Sequence, residues 1–184
     1  MKSVVVFLAP GFEEIEAVTV IDVLRRAGVK VTVAGLDRGL ITGSHEIGVK
    51  PDLLIDQVHP DSVDMVVLPG GLPGSINLRE DPRVLEFLQA MHKAGKYACA
   101  ICAAPVVLKA AGIIANRKLT SHPLVKDDLK EFNYREDRVV VDQTLVTSRG
   151  AGTALEFSLE LVRILVGSEK AKSLEAAMLA RTSP

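Results

Sequence analysis

The sequence predicts an α/β fold in which helices cover both faces of a mostly parallel sheet. Strand and helix signals alternate along the chain, and the strand segments are continuous apolar runs, as expected for strands buried on both faces. The 184 residues, 48% of them hydrophobic, suffice for one sizeable core and are too few for two comfortable domains. We therefore expect a single domain spanning residues 1–184.

The first half of the chain supplies the opening β-α steps. β-branched and apolar runs predict strands, segments with helical periodicity predict helices, and Gly28 and Gly95 are placed to end helices. Turn glycines between short apolar pieces predict a hairpin. The predicted elements are a strand at 4–8, a helix at 13–27, a strand at 29–34, a hairpin at 40–49, a strand at 65–68 and a helix at 82–94.

The second half begins with a strand that ends near Cys102 and passes into a helix. Beyond Gly112 the order is less regular, and Gly167 with Ser168 interrupts the last helical segment, which predicts a terminal helix pair. The predicted elements are small strands at 118–120, 139–141 and 145–147, a polar helix at 124–132, and helices at 154–166 and 169–180.

Cys102 is the main candidate for a reactive group. At a strand-to-helix boundary, backbone N–H groups and the helix dipole favour a thiolate. The small neighbours Ala103 and Ala104 suit a tight turn of the nucleophile-elbow kind. The alternative is a buried, inert cysteine. Cys99 forms a C-x-x-C spacing with Cys102, but residues three apart on a strand face opposite ways, so we expect Cys99 in the core.

Gly70, Gly71 and Gly74 follow the strand at 65–68. Their spacing does not match the G-x-G-x-x-G fingerprint, so no dinucleotide site is predicted. Glycine lets backbone N–H groups approach a reacting atom, and these N–H groups, with the one after Cys102, are candidates for an oxyanion hole. The alternative is a plain turn. Because strand ends share one edge of a parallel sheet, this loop, the loop at 9–13 and Cys102 are expected to line one crevice.

The first helix carries Glu13, Glu14 and Glu16. At about 100° per residue, Glu16 falls on the apolar stripe of the helix and Glu14 nearly opposite, beside Arg25. An inward carboxyl at the mouth of the sheet has its pKa raised by desolvation, which suits it to hold or pass a proton. Glu13, about 60° away, remains a rival. The alternative is a first-turn glutamate favoured by the helix dipole.

His122 lies in a predicted loop between a strand end and a proline, where it would orient or deprotonate a thiol, unless it is simply an exposed histidine. No zinc spacing joins histidines and cysteines, so neither a metal nor another cofactor is predicted. With a net charge of −1 and no dense basic cluster, nucleic acid is not an expected partner. The apolar run at 4–9 is far below the roughly 20 residues of a membrane span, so we expect a cytoplasmic protein.

Five motifs follow one another over nearly the entire chain: LAPGFEEIE at 8–16, VLPGG at 67–71, AICAAP at 100–105, SHPL at 121–124 and TSRG at 147–150. Together they resemble the DJ-1/ThiJ/PfpI superfamily, and its DJ-1 branch most closely. The resemblance implies a flavodoxin-like fold and a homodimer. It also implies roles for individual residues, namely Cys102 as nucleophile, Glu16 as its protonated partner, His122 nearby, the N–H groups of Gly71 and Ala103 as oxyanion donors, and Gly70 and Arg149 in the substrate pocket.

Three positions depart from patterns in this superfamily. The peptidase-like branch has a histidine after the nucleophile, where this chain has Ala103, which weakens a protease interpretation. Ala151 replaces a proline usual in animal DJ-1 proteins, and His45 stands where an arginine often lines the dimer-related anion site. The details of the substrate pocket are therefore not predicted by the resemblance.

The leading hypothesis is a cysteine-dependent, glutathione-independent glyoxalase acting on methylglyoxal-type 2-oxoaldehydes, with protein or nucleotide deglycation of glycated substrates as a related activity. The second is a redox-sensing holding chaperone whose Cys102 is oxidised to sulfinate beside protonated Glu16. Amidase-like or thiamine-pathway chemistry ranks last, because no feature of the sequence indicates a thiamine-phosphate site.

Overall fold

A seven-stranded sheet forms the centre of the computed structural model, which describes residues 1–180. The last four residues of the predicted domain lie outside the described residues. The strands are β1 (Ser3–Leu8), β2 (Lys30–Gly35), β3 (Ile41–Thr42), β4 (Gly48–Val49), β5 (Leu53–Leu54), β6 (Met65–Leu68), β7 (Tyr97–Ile101), β8 (Lys118–Leu119), β9 (Asn133–Tyr134), β10 (Val139–Asp142) and β11 (Leu145–Ser148). The helices are α1 (Glu14–Arg26), α2 (Gly74–Glu80), α3 (Pro82–Lys93), α4 (Pro105–Ala110), α5 (Lys126–Leu129), α6 (Ala154–Val166) and α7 (Ser168–Ala177).

The order of strands across the central sheet is β10-β11-β7-β6-β1-β2-β5. All neighbours pair in parallel except β10, which runs antiparallel to β11 at one edge. β3 and β4 form a separate antiparallel hairpin, and β8 and β9 a short parallel pair. The carboxyl ends of β1, β6, β7 and β11 therefore meet at one edge of the sheet, where such folds bind ligands.

Two apolar layers lie on the two faces of the sheet. Because successive side chains of a strand point to opposite faces, Val4 and Val6 of β1 pack into one layer while Val5 and Phe7 pack into the other. The first layer contains the apolar sides of α1, α6 and α7, and the second contains those of α2, α3, α4 and α5. The α/β class with helices on both faces is thus confirmed.

Most elements begin and end near their predicted bounds, including the hairpin at 41–49 and the helix pair broken at Gly167. The segment that begins at the last glycine of the cluster forms α2, which was not predicted, and the two-residue strands β5 and β9 were also missed. The polar helix expected at 124–132 is instead a 3₁₀ turn at Pro123–Val125 followed by the single-turn α5. Within residues 1–180, none of the helices has the length and apolar composition that a bilayer crossing needs.

Candidate active site

The loops that follow β1 and β6 are joined by backbone hydrogen bonds. The Glu13 N–H donates to the Gly70 carbonyl over 2.9 Å, and the Gly74 N–H donates to the Gly11 carbonyl over 3.1 Å. Gly71 has a φ of 92°, and a Cβ there would lie 2.4 Å from the Glu13 nitrogen, so this close approach requires glycine. The predicted crevice is present, since the Cβ of Cys102 also packs against Gly70.

Cys102 is the first residue after β7 and has a left-handed backbone, with a φ of 65°. For a non-glycine residue this conformation costs roughly 1–2 kcal/mol. Two hydrogen bonds fix it: the Cys102 N–H donates to the Ser148 carbonyl over 3.0 Å, and the Cys102 carbonyl accepts from the His122 N–H over 2.8 Å. The turn is strained and tight, as the small flanking residues predicted.

Glu16 lies on the buried side of α1, as predicted, with an exposed fraction of 0%. Its Oε2 accepts a hydrogen bond from the Gly70 N–H over 2.7 Å. Its Oε1 is buried with no partner of good hydrogen-bond geometry among the described residues. The Cys102 thiol lowers the pKa of this carboxyl, and the carboxyl raises the pKa of the thiol. Burial raises the pKa of Glu16 to about 7, outweighing the opposing Gly70 N–H.

The environment of the Cys102 thiol differs from the sequence-based expectation. Burial, and then the nearby Glu16 carboxylate, raise its pKa to about 12, although the N–H groups of Gly71 and Ala103 lower it. The expected helix dipole is remote, because α4 begins only at Pro105 and is a short helix. Backbone N–H groups thus favour a thiolate, as predicted, but burial and the Glu16 carboxylate outweigh them.

The two acidic groups compete for one proton. The negative charge of the Glu16 carboxylate raises the pKa of the thiol. This electrostatic effect disappears when Glu16 is protonated. In that state the two N–H groups of Gly71 and Ala103 still favour a negative sulfur. The site thus accommodates one negative charge more readily than two.

The other two glutamates of this helix have structural partners. Glu13 caps α1, accepting a hydrogen bond from the Glu16 N–H at 2.7 Å through Oε2. Glu14 was placed on the side of the helix opposite Glu16, but it is only 4% exposed. The β3–β4 hairpin folds over its carboxylate, which accepts from the His45 N–H at 2.6 Å and lies 2.9 Å from His45 Nδ1. A surface position on an isolated helix became buried because another segment covers it.

His122 and Arg149 differ in their relation to the thiol. The half-buried His122 accepts a hydrogen bond from the Leu124 N–H on Nδ1 over 3.2 Å. Its ring and the Cys102 sulfur both border the empty space next to the Cα of Gly150. Arg149 donates through Nη1 to the Glu136 carbonyl over 2.9 Å. Gly150, which was not among the predicted site residues, faces both the thiol and His122. The signal for it was present, because the TSRG motif ends β11, the neighbour of β7.

Among residues 1–180, one group of three side chains has a composition suited to a metal. Ligand atoms of Glu13, Glu14 and His45 lie within 4.8 Å of one another. Both oxygens of Glu14 are already engaged with the hairpin, and the group sits at the N-terminus of α1, where the helix dipole disfavours a cation. These contacts account for the cluster without an ion.

Comparisons with known proteins agree over almost the whole chain. The model of the DJ-1/PfpI family matches residues 2–164. Protein dj-1beta of Drosophila melanogaster is 45% identical over 181 residues, covering 97% of each chain. Glutathione-independent glyoxalase DJR-1.2 of Caenorhabditis elegans is 40% identical over 176 residues, covering 94% of each. The crystal structure of Drosophila melanogaster DJ-1beta superimposes with a TM-score of 0.95 and 44% identity, covering 98% of this chain and 99% of that one.

Proposed function

The chain belongs to the DJ-1/PfpI family, and from that premise and its cysteine site we propose that it is a glutathione-independent glyoxalase. It would convert methylglyoxal-type 2-oxoaldehydes to 2-hydroxy acids. The observation that carries the proposal is the fully buried Glu16 carboxyl beside a half-buried, conformationally strained Cys102. The relative named as a glutathione-independent glyoxalase supports the reaction class.

In the first step, with the shared proton on Glu16, the Cys102 thiolate adds to the aldehyde carbon of the substrate. The carbonyl oxygen becomes an oxyanion and takes the proton from Glu16, which is left as a carboxylate. The Gly71 and Ala103 N–H groups already favour negative charge on the sulfur, so they are suitably placed for charge that develops next to it. The product of this step is a hemithioacetal.

In the second step, Glu16 moves a proton between the two adjacent carbons. The carboxylate removes the proton from the former aldehyde carbon, and the resulting acid returns it to the neighbouring carbon. The hydroxyl proton of the hemithioacetal passes to the neighbouring oxygen, which yields the thioester of a 2-hydroxy acid. Water then hydrolyses the thioester, giving lactate from methylglyoxal and restoring the thiol. No external oxidant or reductant is consumed. A general acid-base works best with a pKa near the operating pH, and that of Glu16 is raised to about 7.

His122 and Gly70 would support these steps without forming bonds to the substrate. Because His122 Nδ1 accepts the Leu124 N–H, a neutral ring carries its proton on Nε2 and can donate it towards bound substrate. Gly70 holds Glu16 Oε2 through its N–H and leaves room for the Cys102 Cβ. We assign Arg149 to the outer part of the substrate pocket, where its contact with Glu136 fixes the guanidinium.

A redox-sensing chaperone is the second candidate function. Two equivalents of peroxide would oxidise the Cys102 thiolate, first to a sulfenate and then to a sulfinate, with each peroxide reduced to water. The observation in its favour is that the same Gly71 and Ala103 N–H groups, with protonated Glu16, would stabilise sulfinate oxygens as well as an oxyanion. Deglycation of glycated proteins or nucleotides would use the same thiol chemistry as the glyoxalase reaction.

The family resemblance extends the proposal to assembly and location. We propose a single domain that forms a homodimer and acts in the cytoplasm. Ile15 and Val18 on α1 are 57% and 48% exposed, and a partner subunit would cover apolar side chains of this kind. Light scattering coupled to size-exclusion chromatography would give twice the monomer mass if the chain dimerises and the monomer mass otherwise.

The decisive experiment measures D- and L-lactate formed from methylglyoxal without glutathione by the wild type, Cys102→Ser and Cys99→Ala. Cys99 is fully buried, so its variant is a matched control for loss of a cysteine. We expect turnover in the wild type and in Cys99→Ala, and none above background in Cys102→Ser. Wild-type turnover no higher than that of Cys102→Ser would refute the glyoxalase proposal and make the redox function the leading one. Deglycation is then tested separately, on substrates free of methylglyoxal.

A further inference from the structure

Gly150 has no structural reason to be glycine in the free protein. Its φ of 165° and ψ of −171° are extended backbone that any residue adopts. A Cβ built there would lie 3.4 Å from His122 Cδ2 and 4.0 Å from Cys102 Sγ, which are ordinary van der Waals distances. Neither conformation nor packing therefore excludes alanine at this position.

The other glycine beside the thiol is different. A Cβ at Gly70 would lie 2.5 Å from the Cys102 Cβ and 2.7 Å from Glu16 Oε2. Side chains of the protein therefore already occupy the space next to the Cα of Gly70. Of these two glycines, only Gly150 leaves space that the protein does not use. That space borders the Cys102 sulfur on one side and the His122 ring on the other.

We propose that Gly150 is a specificity-determining residue, whose missing side chain leaves room for the substituent on the carbon that Cys102 attacks. The identity of the substrate class rests on the proposed glyoxalase function. The steric role of Gly150 follows from the distances for any substrate of Cys102. A carbon poised for attack stands about 3–3.5 Å from the sulfur. A methyl group 4.0 Å from Sγ on the same side would touch that carbon's substituents, because non-bonded carbons approach to about 3.5–4.0 Å.

The test compares Gly150→Ala with the wild type on three 2-oxoaldehydes of increasing size: glyoxal, methylglyoxal and phenylglyoxal. We expect kcat/KM to fall least for glyoxal and most for phenylglyoxal, with their ratio changing by about tenfold or more, the usual effect of one methylene in a tight pocket. Gly152→Ala is the matched control from the same turn, since a Cβ at Gly152 has nothing within 4 Å. Its ratio should stay within about twofold of the wild-type value.

A second readout does not depend on glyoxalase activity. The rate of Cys102 alkylation is measured by intact mass spectrometry with iodoacetamide and with the bulkier N-phenyl iodoacetamide. In Gly150→Ala the bulkier reagent should be slowed several-fold more than the smaller one, whereas Gly152→Ala should slow neither. If the wild type turns over no oxoaldehyde, the proposed function fails, and the alkylation rates still decide the steric role of Gly150.

Equal effects of Gly150→Ala on large and small compounds in both assays, or no effect on either, would overturn the proposal. Thermal unfolding of the variant establishes that it folds, and the extended backbone and open space predict a midpoint close to that of the wild type. Gly150→Ser provides a second side chain of similar size if Gly150→Ala does not fold.

Discussion

Replacing Glu16 with glutamine should stabilise the protein by an amount that grows with pH. Burial raises the pKa of this carboxyl to about 7 from an ordinary value of 4.5. Between these two values the folded state binds a proton that the unfolded state has released, so wild-type stability falls as the pH rises through this window. At about 1.4 kcal/mol per pKa unit, the loss attributable to Glu16 amounts to about 3 kcal/mol above pH 7.

The assay is urea unfolding of the wild type and Glu16→Gln at several pH values from 4.5 to 8. Glutamine has no titration in this range, while every other ionisable group is shared, so the difference in unfolding free energy isolates the carboxyl. That difference should rise with pH in favour of the variant, by about 3 kcal/mol across the window. A constant offset from the new amide would shift the curve without changing its slope.

The Cys102→Ser background provides the control for coupling between the two groups. In Cys102→Ser and Cys102→Ser with Glu16→Gln, no thiol is present to take up or release a proton at this site. The slope should persist in this pair of variants. A difference in unfolding free energy that stays flat from pH 4.5 to 8 in both backgrounds would refute the reasoning that burial holds a proton on Glu16.

Two further substitutions test the packing around the site. Glu14→Gln should destabilise the protein by about 2 kcal/mol at pH 7, because a charged acceptor of hairpin hydrogen bonds is lost. Burial raises the pKa of Glu14, but hydrogen bonding from His45 outweighs burial and lowers this pKa to about 2. The stability of the wild type should therefore fall as the pH falls from about 4.5 towards 2. Urea unfolding in that range should show a shallower fall for Glu14→Gln. Gly70→Ala should lower stability by about 1–3 kcal/mol or more, since its Cβ would lie 2.5 Å from that of Cys102. Thermal and urea unfolding would contradict this if Gly70→Ala were as stable as Gly152→Ala.

The features predicted from the sequence are those that local patterns determine. The apolar runs of β1, β6 and β7 are buried on both faces, so their composition alone identified a parallel sheet. The inward position of Glu16 followed from helical periodicity, because the angle between residues of one helix is fixed by backbone geometry. The convergence of the loops followed from the shared direction of parallel strands.

The features that the sequence did not predict depend on contacts between distant segments. Glu14 is buried because a hairpin more than 25 residues later folds over it. The pKa of Cys102 depends on the depth of the turn and on the charge of Glu16, which come from different elements. β5 is only two residues long and pairs with β2 alone, so no periodic pattern marks it. Gly150 was overlooked because its significance lies in the space next to it.

Two costs to stability meet at this one cluster, and another residue at either position would relieve its share of them. The left-handed backbone of Cys102 costs roughly 1–2 kcal/mol, which glycine at this position would relieve. The buried carboxyl of Glu16 costs about 3 kcal/mol above neutral pH, which glutamine would relieve while still accepting from the Gly70 N–H. Strained backbone and perturbed carboxyls concentrate where proteins carry out chemistry. Their coincidence at the mouth of the sheet argues for a chemical role of the Cys102–Glu16 pair over a purely structural one.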